Sequence, residues 1–124
     1  MIATKHIRIA LRKYIESLGY ATYGADQFPR VEVASLQLRD AGEKSQRSFI
    51  VSFTLDCITQ SDSPLQSYEV LDNVRTNFEQ VTTLIDGYDV NAIVFGDNLE
   101  IIEDSDFGVI TRQEQPITIY LTQQ

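Results

Sequence analysis

Few side chains in this sequence could do chemistry, and their spacing decides which chemistry is open to them. His6 is the sole histidine and Cys57 the sole cysteine, so a zinc site would have to recruit carboxylates, and neither residue sits in a familiar ligand spacing. Cys57 closes the apolar alternation Phe49-Ile-Val-Ser-Phe-Thr-Leu-Asp-Cys57, where a thiol is expected to be buried and inert rather than nucleophilic. The densest acids are Asp97, Glu100, Glu103, Asp104 and Asp106. Glu103-Asp104-Ser105-Asp106 offers oxygen ligands to a hard cation, but Asp104-Ser105-Asp106-Phe107-Gly108 lacks the full calcium-loop pattern. A solvated turn or a charge-marked interface is the expectation there. No nucleophile–histidine–acid signature, phosphate-cradling glycine loop or dinucleotide fingerprint occurs. The expectation is a protein that is not an enzyme and that uses neither metal nor cofactor.

The other charged group is basic. Arg39, Lys44 and Arg47 fall in Arg39-Asp-Ala-Gly-Glu-Lys-Ser-Gln-Arg47, a polar, glycine-containing segment between two strand-like stretches. It is longer than a tight turn. Its functional reading is an arm whose positive tip meets Glu100, Glu103, Asp104 and Asp106 of a neighbouring subunit, where complementary charge sets register more surely than affinity. An ordinary solvated hairpin tip is the competing reading.

Composition narrows the classes. The 124 residues fit one domain, residues 1–124. Ten basic against eighteen acidic residues give a net charge of −8, which argues against a general nucleic-acid binder because phosphate contacts need a concentrated positive surface. A protein that surrounds DNA without gripping it remains compatible. No run approaches the roughly 20 apolar residues of a membrane span. The start, Met1-Ile-Ala-Thr-Lys-His-Ile-Arg-Ile-Ala10, carries charges inside its apolar stretch and no small-residue cleavage site, unlike an export signal. A lone cysteine fits a reducing compartment.

The elements that must position these residues are legible as periods. Ile7, Leu11, Tyr14, Ile15 and Leu18 form one stripe, predicting a helix from Thr4 that ends at Gly19. Arg30–Leu38 and Ser48–Ile58 alternate as strands, with a bulge or twist expected near Ser35-Leu36. Ser63-Pro64 is a strong helix start. Leu65, Tyr68, Leu71, Val74, Phe78, Val81 and Ile85 then predict one helix to Ile85, about 33 Å long, with Tyr68 and Phe78 providing much of its packing. Val90–Phe95, Leu99–Ile102, Phe107–Thr111 and Ile117–Leu121 read as strands, with Gly96-Asp97-Asn98 as a turn and Pro116 at the start of the last strand. These patterns predict an α+β fold: a mostly antiparallel four- to five-stranded sheet with two helices on one face, order α-β-β-α-β-β(-β). Val31, Phe53 and Phe78 are the expected core.

Taken together, the chain resembles the tail-terminator, or tail-completion, proteins of long-tailed bacteriophages. The resemblance is architectural: the amino helix Thr4–Leu18, the Phe28-Pro29-Arg-Val-Glu-Val33 lead-in, the hairpin with its charged insertion, the Ser63-Pro64–Ile85 helix and the closing Ile117–Leu121 strand follow in the family order. It implies a homo-oligomeric ring, commonly a hexamer, at the head-proximal end of the tail, assembled in the host bacterial cytoplasm. Such a ring ends tail-tube growth, meets the tail-tube protein on one face and the neck or connector protein on the other, and lets DNA pass its lumen without sequence-specific binding. A neck or head-completion adaptor of the same virion, a small cytosolic protein-binding adaptor, and a hydrolase built on converging Glu100–Asp106 carboxylates are the alternative readings.

Overall fold

A computed structural model describes residues 3–41 and 47–124. The elements are α1 (Thr4–Ser17), β1 (Arg30–Asp40), β2 (Ser48–Thr59), α2 (Pro64–Phe78), β3 (Tyr88–Phe95), β4 (Leu99–Ser105) and β5 (Gly108–Gln123). This is the expected α+β order. Every pairing between strands is antiparallel, with β1-β2-β5-β3 as the path across the sheet and β4 on β5 as well. α1 lies against β1, and α2 lies against β2 and β5.

Alternation builds the layer between helices and sheet. Phe49, Val51, Phe53, Leu55 and Cys57 of β2 are all buried, and three of them face Leu121, Ile119 and Ile117 across the β5 ladder. Val31 and Val33 add the β1 contribution, while Ile7, Leu11 and Ile15 bring the stripe of α1 down onto it. Phe78 closes the layer from α2, edge-on to Tyr14 at a centroid distance of 4.9 Å and 6.2 Å from Phe53. Gly19 ends α1 at φ +98°, a conformation without penalty only for glycine, and its N–H reaches the Glu16 carbonyl at 3.0 Å. The face shift in β1 is a bulge: Ser35 has φ +54° and the register slips between Ala34 and Gln37.

Three expectations are corrected. α2 ends at Phe78 rather than Ile85, so its fifteen residues measure about 22 Å. Val81-Thr82-Thr83 is a β-branched run, which loses χ1 freedom in a helix. The chain closes there, with Val81 N–H on the Phe78 carbonyl and Val90 N–H on the Thr82 carbonyl, both 3.1 Å. Leu84 and Ile85 still pack against the core, but from irregular chain. The buried stripe of α2 is Ser67, Val70, Leu71, Val74 and Phe78. Tyr68 and Leu65 are 39% and 71% exposed, so Tyr68 is not a packing residue.

The third correction concerns the end of the chain. The two expected strands merge into one sixteen-residue strand, Gly108–Gln123, with Phe107 in the turn before it and Pro116 in its interior. β4 takes one edge of β5 from Gly108 to Glu114, and β3 takes the same edge from Ile117 to Gln123. Gly96 N–H donates to the Pro116 carbonyl at 2.9 Å, and a strand residue directs its nitrogen to the same side as its carbonyl. The missing amide of Pro116 therefore faces the gap where β4 hands over to β3. A proline is tolerated inside this strand because that edge changes partner there.

Candidate functional site

The described members of the charged groups singled out from sequence occupy opposite ends of the sheet. Arg39 pairs with Ile50 at the β1–β2 turn end, and Arg47 precedes β2, its carbonyl accepting from Gln123 N–H at 2.9 Å. Lys44 lies outside the described residues. Glu100, Glu103 and Asp104 belong to β4, and Asp106 to the turn between β4 and β5. Glu100 is level with Gln113 and Cys57, seven residues along β2 from Ile50, or about 23 Å; Asp106 is farther still. Within one protomer Arg39 and Arg47 do not meet the acidic group.

Two of the acids are already engaged. Glu103 Oε1 accepts from Arg112 Nη1 at 3.1 Å, and Glu100 Oε1 accepts from Gln113 Nε2 at 3.2 Å. The Glu100 carboxylate also faces Tyr68, pushing its hydroxyl above the usual range. Asp104 and Asp106 are exposed. Among the described residues no group of three or more His, Cys, Asp or Glu side chains is placed to hold a metal ion, so the Glu100–Asp106 carboxylates do not converge. Cys57 is fully buried, and burial pushes its thiol up to about 12, so little thiolate forms at neutral pH.

The sheet face away from the helices holds a cluster that the sequence reading missed. Glu32, Asp56 and Glu114 stand abreast on β1, β2 and β5, directly opposite one another in the ladder. Arg30 and Arg112 occupy the next rung, with Ile58 between them. Arg112 bonds Glu114 at 2.7 Å and Glu103 at 3.1 Å, but its Nε stands 3.6 Å from Asp56 Oδ1, which is left without a hydrogen bond. Arg30 donates to the Gly24 and Gln27 carbonyls at 2.7 and 3.0 Å, and its Nε stands 3.4 Å from Glu32 Oε1. Like charges directly opposite are unfavourable. Burial pushes the Asp56 carboxyl up to about 6; Arg112 and Arg30 oppose that rise, while Glu114 and Glu32 add to it.

A carboxyl whose folded pKa is about 6 against an ordinary 3.8 stabilises the fold fully below pH 3.8, and that stability is lost as pH rises through 6. A displacement of that size corresponds to about 3 kcal/mol, reduced to about 1–2 kcal/mol by the solvent that still reaches the partly exposed Asp56 side chain. Asp56→Asn is therefore expected to be more stable than the wild type by about 1 kcal/mol at pH 7.5, with the advantage vanishing towards pH 4. Urea unfolding across that range checks it. A variant less stable than wild type at pH 7.5 would mean that the Arg112 attraction outweighs burial.

A second unanticipated group lies under α2. Thr111, Gln113 and Gln115 continue the inward face of β5 beyond Ile117, and all three are fully buried. Gln113 Nε2 donates to Ser67 Oγ at 3.1 Å, and its Oε1 accepts from Asn98 Nδ2 at 2.8 Å. Gln115 Nε2 donates to the Gly96 carbonyl at 2.7 Å. Burial of polar groups requires such partners, and here they fasten β4 and the β3–β4 connection to the sheet.

These features define an antiparallel α+β protein that exposes charged surfaces. Neither a protein-family model nor a curated protein matches the sequence. Among solved structures, the chain is similar to one from the virion of a native gene transfer agent (GTA) particle, with a TM-score of 0.66 and 12% identity. The match covers 96% of this chain and 93% of that one. The likeness is one of fold.

Proposed function

We propose that this chain is a structural virion protein that forms a ring at the head-proximal end of a tail, ends tail-tube growth and offers a docking surface to the neck or head connector. The observation that carries the reading is the shared fold with a virion chain over nearly the full length of both. In this reading six copies close head to tail around a rotation axis, which prevents indefinite lateral growth. The tail-tube protein and the connector occupy opposite ring faces, and DNA passes the lumen without sequence-specific contacts, in keeping with a charge of −8. The protein resides in the virion neck after assembly in the bacterial cytoplasm. Arg39, Lys44 and Arg47 of one subunit meet Glu100, Glu103, Asp104 and Asp106 of the next; Glu103 takes part through its Arg112 pair.

Light scattering on purified protein over a concentration series tests the reading. A discrete mass near six protomers, seen as a closed ring by electron microscopy, is the expected result. A strict monomer or dimer at every concentration overturns the self-assembled ring. Neutralising Arg39, Lys44 and Arg47 together is expected to weaken assembly, more at low salt than at high; unchanged assembly removes those residues from the contact.

A further inference from the structure

The helix layer is electrically lopsided. α1 carries Lys5, Arg8, Arg12 and Lys13 against the single acid Glu16, on a chain that is otherwise strongly acidic. α2 carries Glu69 and Asp72 against Arg75, with Glu79 at its C-cap. The contacts of each helix show where these charges lie. The two helices face each other through Tyr14, whose hydroxyl donates to the Asn77 carbonyl at 2.9 Å, and through Asn73, which donates to the Tyr20 hydroxyl at 2.7 Å.

The flank of α1 turned away from α2 is basic. Arg8 donates to the Val33 carbonyl on β1 at 3.0 Å, Arg12 reaches Thr22 Oγ1 at 3.4 Å and covers the Tyr23 ring at 5.1 Å, and Lys5 is exposed beside them. Tyr23 is itself 67% exposed. A groove here is lined by Arg8, Arg12, Thr22 and Tyr23, with Glu32 and Asp56 at its sheet side.

The flank of α2 turned away from α1 is acidic. Residues 68, 72, 75 and 79 follow one another at helical spacing along it. Arg75 is folded down over the Phe95 ring of β3 at 5.3 Å, which leaves Asp72 and Glu79 exposed on that flank. Glu100 of β4 continues it beside Tyr68, and Leu65 and Tyr68 supply exposed apolar surface. One border of the layer thus presents cations with an exposed aromatic ring, and the opposite border presents carboxylates with an exposed aromatic ring.

We infer that the basic flank of α1 (Lys5, Arg8, Arg12, Tyr23) is the docking surface for the acidic flank of α2 (Tyr68, Asp72, Glu79, Glu100) of a second copy. The inference deepens the ring reading and rests on it: the two flanks lie at opposite borders of one protomer, so their pairing is heterologous and propagates from copy to copy. It differs from the contact between the β1–β2 tip and the β4–β5 hairpin in using the helix layer, and the two share only Glu100. Charge on these flanks opposes the alternative in which like borders meet.

Paired charge reversal tests it. Lys5→Glu with Arg12→Glu makes both borders acidic, and Asp72→Lys with Glu79→Lys makes both basic. Each variant alone, with its fold checked by circular dichroism, is expected to sediment at the protomer mass, while an equimolar mixture assembles by alternating the two. High salt is expected to weaken wild-type assembly. Folded variants that each assemble like the wild type overturn the flank contact while leaving the ring intact. A mixture that stays at the protomer mass also overturns the contact. A wild type that is monomeric at every concentration overturns both the contact and the ring.

Discussion

Phe78→Ala is expected to destabilise this protein by about 3–5 kcal/mol, the range for deleting a fully buried aromatic side chain. Phe78 has no exposed surface and is the last residue of α2. It touches both helices and the sheet, through Tyr14 of α1 and Phe53 of β2 as well as its own helix. Removing it leaves a cavity bounded by two other aromatic rings, which cannot collapse inward without moving α1. Its loss also frees the C-terminal turn of α2, where the Asn77 carbonyl holds the Tyr14 hydroxyl. For a chain of this length the thermal midpoint should fall by roughly 12–20 °C. Tyr68→Ala, on the same helix but 39% exposed, should change stability by less than about 1 kcal/mol. Equal effects of the two would contradict the orientation of α2.

Gln113→Ala is expected to cost about 2–4 kcal/mol, combining a lost buried volume with lost hydrogen bonds. The side chain has no solvent exposure and joins three elements: Ser67 of α2, Glu100 of β4 and, through Asn98, the connection preceding β4. Without it, β4 retains its ladder to β5 and the exposed Glu103–Arg112 pair. Hydrogen exchange in β4 is therefore expected to accelerate while exchange in β2 follows global unfolding. Gln113→Leu separates the two contributions. It refills the volume, and Ser67 Oγ keeps its bond to the Pro64 carbonyl at 2.7 Å, so stability should recover in part while β4 stays loosened. Unaltered β4 exchange in both variants would show that the ladder and the Glu103–Arg112 pair hold the strand without Gln113.

These two residues show how much of the fold could be read from the chain. Phe78 falls on a clear helical stripe, and its burial follows from period alone. Gln113 and Gln115 gave no such signal. Their inward direction is fixed only because β5 is one continuous strand, so that the parity set by Ile117 and Ile119 runs back through Gln115 and Gln113. A reading that starts the strand at Pro116 loses that parity. The bulge at Ser35 was legible because the apolar alternation of β1 changes face there, whereas the end of α2 was not: Val81 and Ile85 keep the helical spacing although the β-branched run between them favours extended chain.

The charged surfaces divide in the same way. Arg39, Arg47, Glu100, Glu103, Asp104 and Asp106 are adjacent in sequence within their groups, and the structure places the two groups at opposite ends of the sheet. Glu32, Asp56 and Glu114 are more than twenty residues apart from one another in sequence and become neighbours only through the register of β1, β2 and β5. The basic flank of α1 was in plain view, as cations at positions 5, 8 and 12, yet their spacing reads first as the solvated side of an amphipathic helix. Their exposure on the border of the helix layer, opposite the acids of α2, gives them a second meaning.

The sequence by itself determined what is local: the two helical stripes, the alternation of β2, the glycine at the end of α1, the bulge in β1 and the charge of −8. Periodicity determines these because each depends on residues within a few positions of one another. Tertiary structure alone decided which carboxylates stand abreast, how β3 and β4 share one edge of β5 around Pro116, and which helix flanks face outward. Those outcomes depend on register and on layer order, where a single-residue shift turns every side chain of a strand to the other face.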